Sequence, residues 1–338
     1  MKQRFESDGP RPIIVISIII LMLVVLGALF AAIRVFFLDA PDYGVVRETG
    51  SVDAVFCRTG DCEATLLSLF ENATDIRCAY YELDLPRTIA VLDAKNAEVL
   101  VFEENAEESM GHGFSTVDSA GLMHHKFCVL DGSIVITGSM NPTVNAQTKN
   151  DEHLVVMRSH TLAAAYAREW DILDARGHGG GKKARVDAPL VELSGTPVDV
   201  CFAPAEGCEA DLIAVLDNAN VSIQFMTFSF TSDAVGDALV RAYDRGVAVE
   251  GIVERRQSDQ WSEYDALKLV GIPVLKDGNS GTMHHKVFII DGTTVVTGSY
   301  NPTANANTRN DENLLVIEDA VLATQYISEY GRVKAKAS

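Results

Sequence analysis

One stretch of this chain occurs twice. Residues 123–156 return at 283–316 with a constant shift of 160 and 21 of 34 positions identical. A duplication of that length restricts the fold to two copies of one domain in tandem. Upstream the echo is weaker but collinear. Asp61-Cys62-Glu63-Ala64 returns as Gly207-Cys208-Glu209-Ala210, each opening an amphipathic helix that ends at Asn72-Ala73 or Asn218-Ala219 before a strand. Residues 176–189 (RGHGGGKKARVDAP) carry four glycines in five positions and read as a flexible, locally basic connection. Within each half the pattern runs strand, helix, strand, helix or loop, a strand pair, a further strand and a closing helix, which is an α/β order. The strand pairs turn at Asp131-Gly132 and Asp291-Gly292, and the closing helices are expected at 161–175 and 319–334. A middle helix at 232–245 has only a short counterpart at 87–95.

Before the repeat lies an apolar run, residues 13–33, without a charge. About 20 such residues cross a hydrocarbon core as a helix. A cleaved signal peptide fits less well, because its apolar region spans ~7–15 residues and Leu38-Asp39-Ala40 lacks the small-x-small site. Lys2, Arg4 and Arg11 precede the run, so the positive-inside rule puts the N-terminus in the cytoplasm and the rest outside. The expected division is residues 1–12 cytoplasmic, 13–33 spanning, 34–51 a stalk, 52–176 the first domain, 177–195 the linker and 196–335 the second. Cys57-x4-Cys62 and Cys201-x6-Cys208 are read as local disulfides, each contributing about 2 kcal/mol and suited to an oxidising compartment. A four-cysteine zinc site is the rival, but neither spacing is C-x2-C. Cys78 and Cys128 fall in apolar strands, as small buried hydrophobes or a third bridge. Asn72 and Asn220 open formal glycosylation sequons.

The repeat concentrates its polar residues. His124-x-Lys126-x4-Asp131-x6-Gly138-Ser139-x-Asn141 and then Glu152 matches His284-x-Lys286-x4-Asp291-x6-Gly298-Ser299-x-Asn301 and then Glu312. Strand alternation puts His124 with Lys126, and His284 with Lys286, on one face, while His125 and His285 point to the other in supporting roles. A His and a Lys together suit a core poorly and a phosphate well, since ammonium, hydroxyl and amide groups can all donate to phosphate oxygens. Metal chemistry is disfavoured: no H-x-x-x-H or H-E-x-x-H occurs, and each motif lysine would repel a cation. No metal or other cofactor is expected.

These motifs resemble the phospholipase D superfamily, whose signature is H-x-K-x4-D followed by G-S-x-N, and the likeness runs over residues 52–334. The resemblance implies two α/β domains packed about a pseudo-twofold axis with one shared active site, an internal pseudo-dimer that could work as a monomer. It implies catalytic roles for His124, Lys126, Asp131, His284, Lys286 and Asp291, and phosphate binding by Ser139, Asn141, Ser299 and Asn301. One histidine attacks phosphorus and the other protonates the leaving oxygen; His124 is taken as nucleophile. Glu152 and Glu312 are expected to accept from the second ring nitrogens of His124 and His284. The aspartates, each in a turn, read as structural despite their place in the motif.

Substrate is less legible. The Pro-Thr-x-Asn-Ala-x-Thr-x-Asn-Asp-Glu that follows is similar to the nuclease and mitochondrial cardiolipin hydrolase branch, and departs from cardiolipin synthases, so phosphatidyl transfer ranks third. The anchor, its orientation and the apolar Phe114, Leu122, Met123, Trp261 and Met283 favour a phospholipid. Arg255, Arg256, Lys182, Lys183 and Arg185 could instead line a rim for nucleic acid. The net charge of −19, from 47 acidic and 28 basic residues, gives a polyanion no general attraction. The first expectation is a phospholipid phosphodiesterase on the extracytoplasmic side of a membrane, with nucleic acid as the alternative substrate.

Overall fold

Apolar strands alternating with amphipathic helices assemble into two mixed sheets. The computed structural model describes residues 44–107, 111–118, 121–177 and 184–338. In the first half of the chain the strands are β1 (Val46–Glu48), β2 (Ser51–Phe56), β3 (Ile76–Tyr80), β4 (Glu98–Phe102), β5 (Ser115–Val117), β6 (Lys126–Leu130), β7 (Ile134–Gly138) and β8 (His153–Arg158). In the second they are β9 (Val191–Leu193), β10 (Thr196–Ala203), β11 (Ser222–Thr227), β12 (Ala248–Val253), β13 (Val274–Lys276), β14 (Lys286–Ile290), β15 (Thr294–Gly298) and β16 (Glu312–Glu318). One sheet runs β2-β8-β7-β6-β3-β4-β5. The other repeats that order as β10-β16-β15-β14-β11-β12-β13 and extends it with β9 and β1.

The helices are α1 (Cys62–Asn72), α2 (Pro86–Ala94), α3 (Val144–Thr148), α4 (His160–Gly177), α5 (Cys208–Asp217), α6 (Asp233–Asp244), α7 (Glu263–Leu269), α8 (Ala304–Thr308) and α9 (Ala320–Lys334). Asp61 caps α1 by accepting from the Ala64 amide at 2.9 Å, and Ser232 caps α6 at Val235. Leu66, Phe70, Ile89 and Leu92 of α1 and α2 pack on one face of the first sheet. Leu212, Leu216, Leu239 and Leu267 of α5, α6 and α7 do the same for the second. The remaining core is common to both halves: Phe127 and Tyr166 from the first meet Phe202 and Tyr326 from the second in one buried cluster. Val45–Ser338 is accordingly a single compact unit.

Two boundaries differ from the sequence reading. Part of the supposed stalk is β1, which pairs in parallel with β9, itself inside the supposed linker (Val46 opposite Val191). Both short strands satisfy their backbone groups by extending the edge of the second sheet beyond β10. The closing helix α4 runs to Gly177, one residue into the supposed linker. The apolar run at 13–33 and the basic Lys182 and Lys183 lie outside the described residues, among which no helix is long and apolar enough to cross a membrane.

Cysteine pairing follows the spacing. Cys57 is bonded to Cys62 and Cys201 to Cys208, and a third bridge joins Cys78 on β3 to Cys128 on the adjacent antiparallel β6.

Candidate active site

Each motif histidine begins where its strand leaves the sheet and crosses to the other half. The His124 amide donates to the Asp311 carbonyl at 3.0 Å, and the His284 amide to the Asp151 carbonyl at 3.0 Å. In return the Asp311 amide reaches Leu122 and the Asp151 amide reaches Thr282, each at 2.8 Å. Asn310 Oδ1 accepts from the Leu122 amide and Asn150 Oδ1 from the Thr282 amide, both at 3.1 Å. The contacts are reciprocal, as a pseudo-twofold arrangement would make them.

That exchange decides which carboxylate meets which imidazole. His124 Nδ1 lies 2.8 Å from Glu312, and His284 Nδ1 lies 2.9 Å from Glu152. The sequence expectation that each glutamate serves the histidine of its own repeat is corrected: the pairs are crossed. Equal spacing along the chain could not reveal this, because the Asn-Asp-Glu segment bridges to the opposite motif rather than folding back on its own.

Lys126 and Lys286 are buried beside their histidines, with Nζ donating to the carbonyls of His124 (2.6 Å) and His284 (2.8 Å). Each ammonium lies 5.1 Å from an aromatic ring, Tyr81 for Lys126 and Phe228 for Lys286. The same rings meet the motif imidazoles edge-on, at 5.0 Å for His124 and 4.7 Å for His284. Tyr81 and Phe228 were missed by sequence reasoning; neither lies in the recognisable repeat. They follow β3 and β11, whose amide ladder continues into the backbone of His125 and His285.

Burial dominates the electrostatics. It lowers His284 to about 4 against the pull of Glu152, and holds His124 well below its ordinary value with Lys126 and Lys286 acting in the same direction. Both imidazoles are therefore neutral before substrate arrives. Burial also lowers Lys126 to about 8 and Lys286 in the same sense. A bound phosphate would offset that cost further, adding to the pull that Glu152 and Glu312 already exert. Burial opposes ionisation of Glu152, but His284 and Lys286 overcome it and its value falls; burial wins at Glu312, which rises to about 8.

The remaining expected site residues divide. Asn141 and Asn301 line the cleft with the two histidines, and Asn141 Oδ1 is buried without a hydrogen-bond partner. Ser139 and Ser299 do not line it. The Ser139 hydroxyl donates to Glu152 at 2.8 Å and Ser299 is hydrogen-bonded to Glu312, so these serines support the glutamates rather than bind phosphate. Gly138 and Gly298, at φ 131° and 135°, make this possible, since a Cβ at either would collide with the carbonyl of His153 or Asn313.

For Asp131 and Asp291 the structural reading holds, and the catalytic role implied by the resemblance is corrected. Both sit in the left-handed region, at φ 49° and 53°, beyond the far ends of β6 and β14. Five residues of strand separate each from its lysine, roughly 16 Å. Asp131 accepts from the amides of Thr74 and Asp75, and Asp291 from those of Asn220, Val221 and Ser222. They pin the strand entering each sheet. His125 and His285 support, as expected: their Nε2 atoms face Glu169 and Glu329 at 3.1 and 3.0 Å on the closing helices.

The repeated Pro-Thr-x-Asn-Ala also has a local cause. Thr143 and Thr303 cap α3 and α8, each accepting from an alanine amide at 3.2 Å, and these short helices carry Asn145 and Asn305 into the cleft wall. The cleft has a volume of about 900 Å³ and is lined mainly by amide and hydroxyl side chains, with Lys149 and Arg256 at its side. Of the apolar residues expected to face substrate, only Leu122 lines it; Met123 and Met283 are core, and Trp261 is exposed elsewhere. Arg185 pairs with Asp187.

Comparison with known proteins agrees with this geometry. The family model described as "Cardiolipin synthase, PLD-like domain" matches residues 86–173 and 212–334. A phospholipase D of Rickettsia bellii is 38% identical over 148 residues, 44% of this chain and 74% of that protein. A mitochondrial cardiolipin hydrolase of Xenopus tropicalis is 32% identical over 141 residues, 40% and 67% of the two chains. The crystal structure of a Haemophilus influenzae phosphatidylserine synthase shares the fold over 85% of this chain and 87% of its own, with a TM-score of 0.65 at 13% identity. This chain belongs to the phospholipase D superfamily and is a phosphodiesterase.

Proposed function

We propose that the protein hydrolyses the phosphodiester of a phospholipid, without a metal, at one site formed by both halves. The observation that carries this reading is the meeting of His124 and His284, each held by the other half's glutamate, in one cleft that Asn141 and Asn301 line, with Lys126 and Lys286 buried beside the histidines. One imidazole attacks phosphorus to form a phosphohistidine while the other protonates the departing oxygen; the second then activates water, which releases the phosphate ester and restores the first. The lysines and asparagines neutralise the charge that builds on the non-bridging oxygens. The relatives named phospholipase D and cardiolipin hydrolase support a lipid substrate, and residues 13–33 would hold the site against a bilayer on the extracytoplasmic side.

A second reading, nucleic-acid cleavage, is favoured by the cleft wall itself, mainly polar and flanked by Lys149 and Arg256. Turnover of the full chain in detergent, measured in chelator on mixed phospholipid vesicles and on single- and double-stranded DNA and RNA, separates the two. Phosphatidic acid or free head group with intact nucleic acid is expected. Cleaved nucleic acid alone would move the protein to the nuclease reading, and activity lost in chelator and restored by zinc would overturn the metal-free route.

A further inference from the structure

The two halves differ at one buried position beneath the site. Residue 153 is histidine, and its counterpart 160 residues later is Asn313. Both are fully buried, and the backbone amide of each donates to the serine of its G-S-x-N motif, at 3.1 Å to Ser139 and 3.0 Å to Ser299. Their side chains behave differently. His153 Nδ1 lies 3.2 Å from Ser139 Oγ and 2.9 Å from His285 Nδ1, while its Nε2 lies 2.7 Å from Thr297 Oγ1. Asn313 turns away, donating to Tyr166 Oη at 2.9 Å and accepting from Thr137 at 3.3 Å.

Hydrogen bonding assigns the protons. Arg332 holds Glu329 as a carboxylate against the opposing effect of burial, at about 2, so His285 donates from Nε2 to Glu329 and its Nδ1 is left as an acceptor. His153 must then donate from Nδ1, and its Nε2 accepts from Thr297. Ser139 Oγ thus faces two N–H groups, backbone and ring, and its single proton is committed to Glu152. Glu152 is held as a carboxylate, and can only accept at His284 Nδ1–H. In the other half Ser299 and Asn310 also reach Glu312, but Ser299 faces only the Asn313 amide and no ring N–H, so its proton is not forced toward Glu312 as that of Ser139 is toward Glu152.

We propose that His153 is a positioning residue that makes the two catalytic histidines unequal, fixing His284 as the nucleophile and leaving the His124–Glu312 pair to carry the catalytic proton. The proposal rests on the phosphodiesterase reading above and reverses the order of roles expected from sequence. Burial that raises Glu312 while Glu152 stays low accords with it. The Nε2 lone pair of His284 forms the N–P bond as the P–O bond to the leaving group breaks. That oxygen takes the proton from His124 Nε2, and the Glu312 proton passes to His124 Nδ1. Water then attacks phosphorus and gives its proton to His124 Nε2 as the Nδ1 proton of His124 returns to Glu312, and the N–P electron pair returns to His284. The charged and titratable groups facing His153 are His284, His285, Lys286, Glu329 and Tyr326, together with Glu152 through Ser139.

Ring nitrogen spectra of the full chain, labelled with 15N at histidine, test this without substrate. At neutral pH His284 is expected to carry its proton on Nδ1 and His124 on Nε2; the same tautomer at both rings would overturn the proposal. In His153→Asn, which copies the residue of the other half, and in His153→Gln, the difference should shrink; a difference that persists in a folded variant would also overturn it. Bis(p-nitrophenyl) phosphate supplies the chemical arm, because p-nitrophenolate leaves without an acid. His124→Ala should then release a burst of about one equivalent and show the adduct on the His284 peptide, whereas His284→Ala should show neither. The reverse pattern sinks the assignment. If wild-type protein hydrolyses no diester, the phosphodiesterase reading falls while the ring spectra still decide the asymmetry.

Discussion

Cys78 and Cys128 in the first half occupy the same pair of sheet positions as Phe225 and Phe288 in the second. Each pair faces across equivalent antiparallel strands, β3 with β6 and β11 with β14. One half fills the place with a disulfide, the other with stacked rings whose centroids are 5.9 Å apart. The neighbouring strand compensates: Val99 stands beside Cys78, but Gly251 stands beside Phe225, where any Cβ would strike the ring. Duplicated backbones therefore accommodate different fillings of one layer, the glycine making room for the ring beside it, as close packing requires. The halves were free to diverge in how the core is filled while the site they share stayed nearly symmetric.

Several substitutions test how far the halves are equivalent. The largest effect is expected where they cannot act alone: His124→Ala and His284→Ala should each cut turnover of a natural diester by at least about 10³-fold. Substantial activity in either would mean two independent sites. Because the pairs are crossed, Glu152→Gln should disturb the ring spectrum of His284 before that of His124, and Glu312→Gln the converse.

Next comes the core comparison. Replacing Cys78 and Cys128 by alanine together removes a loop with a sequence separation of 50, worth about 4 kcal/mol by chain entropy, against about 2 kcal/mol for the Cys57–Cys62 or Cys201–Cys208 loops. Denaturant midpoints that rank the three equally would break the comparison. Acidity should weaken the fold through His284. Its value is about 4 folded against 6.5 ordinarily, so between those pH values the unfolded chain binds more protons. The contribution is whole above about 6.5 and is lost as pH falls toward 4, about 3 kcal/mol in all. His284→Asn should flatten that part of the stability profile. Gly251→Ala should cost about 1–3 kcal/mol by overpacking, with much of it recovered by Phe225→Leu. The smallest effect belongs to Asp131→Ala and Asp291→Ala, each about 1 kcal/mol in thermal or denaturant melts. A much larger loss of turnover than of stability there would return these residues to the catalytic set.

The repeat, its spacing and its polar residues were enough to establish two α/β halves, the histidines, lysines and asparagines suited to phosphate, and the two local disulfides, while the sharing of one site came from the resemblance to the phospholipase D superfamily. These features depend on period-two alternation, turn chemistry and short loops, all of which are local. Which glutamate serves which histidine, the withdrawal of Ser139 and Ser299 behind those glutamates, the aromatic rings of Tyr81 and Phe228 and the bridge between Cys78 and Cys128 depend on where remote segments meet. Sequence separation says nothing about that meeting. It is decided when the two sheets bury their common core and each Asn-Asp-Glu segment satisfies its backbone groups on the opposite half.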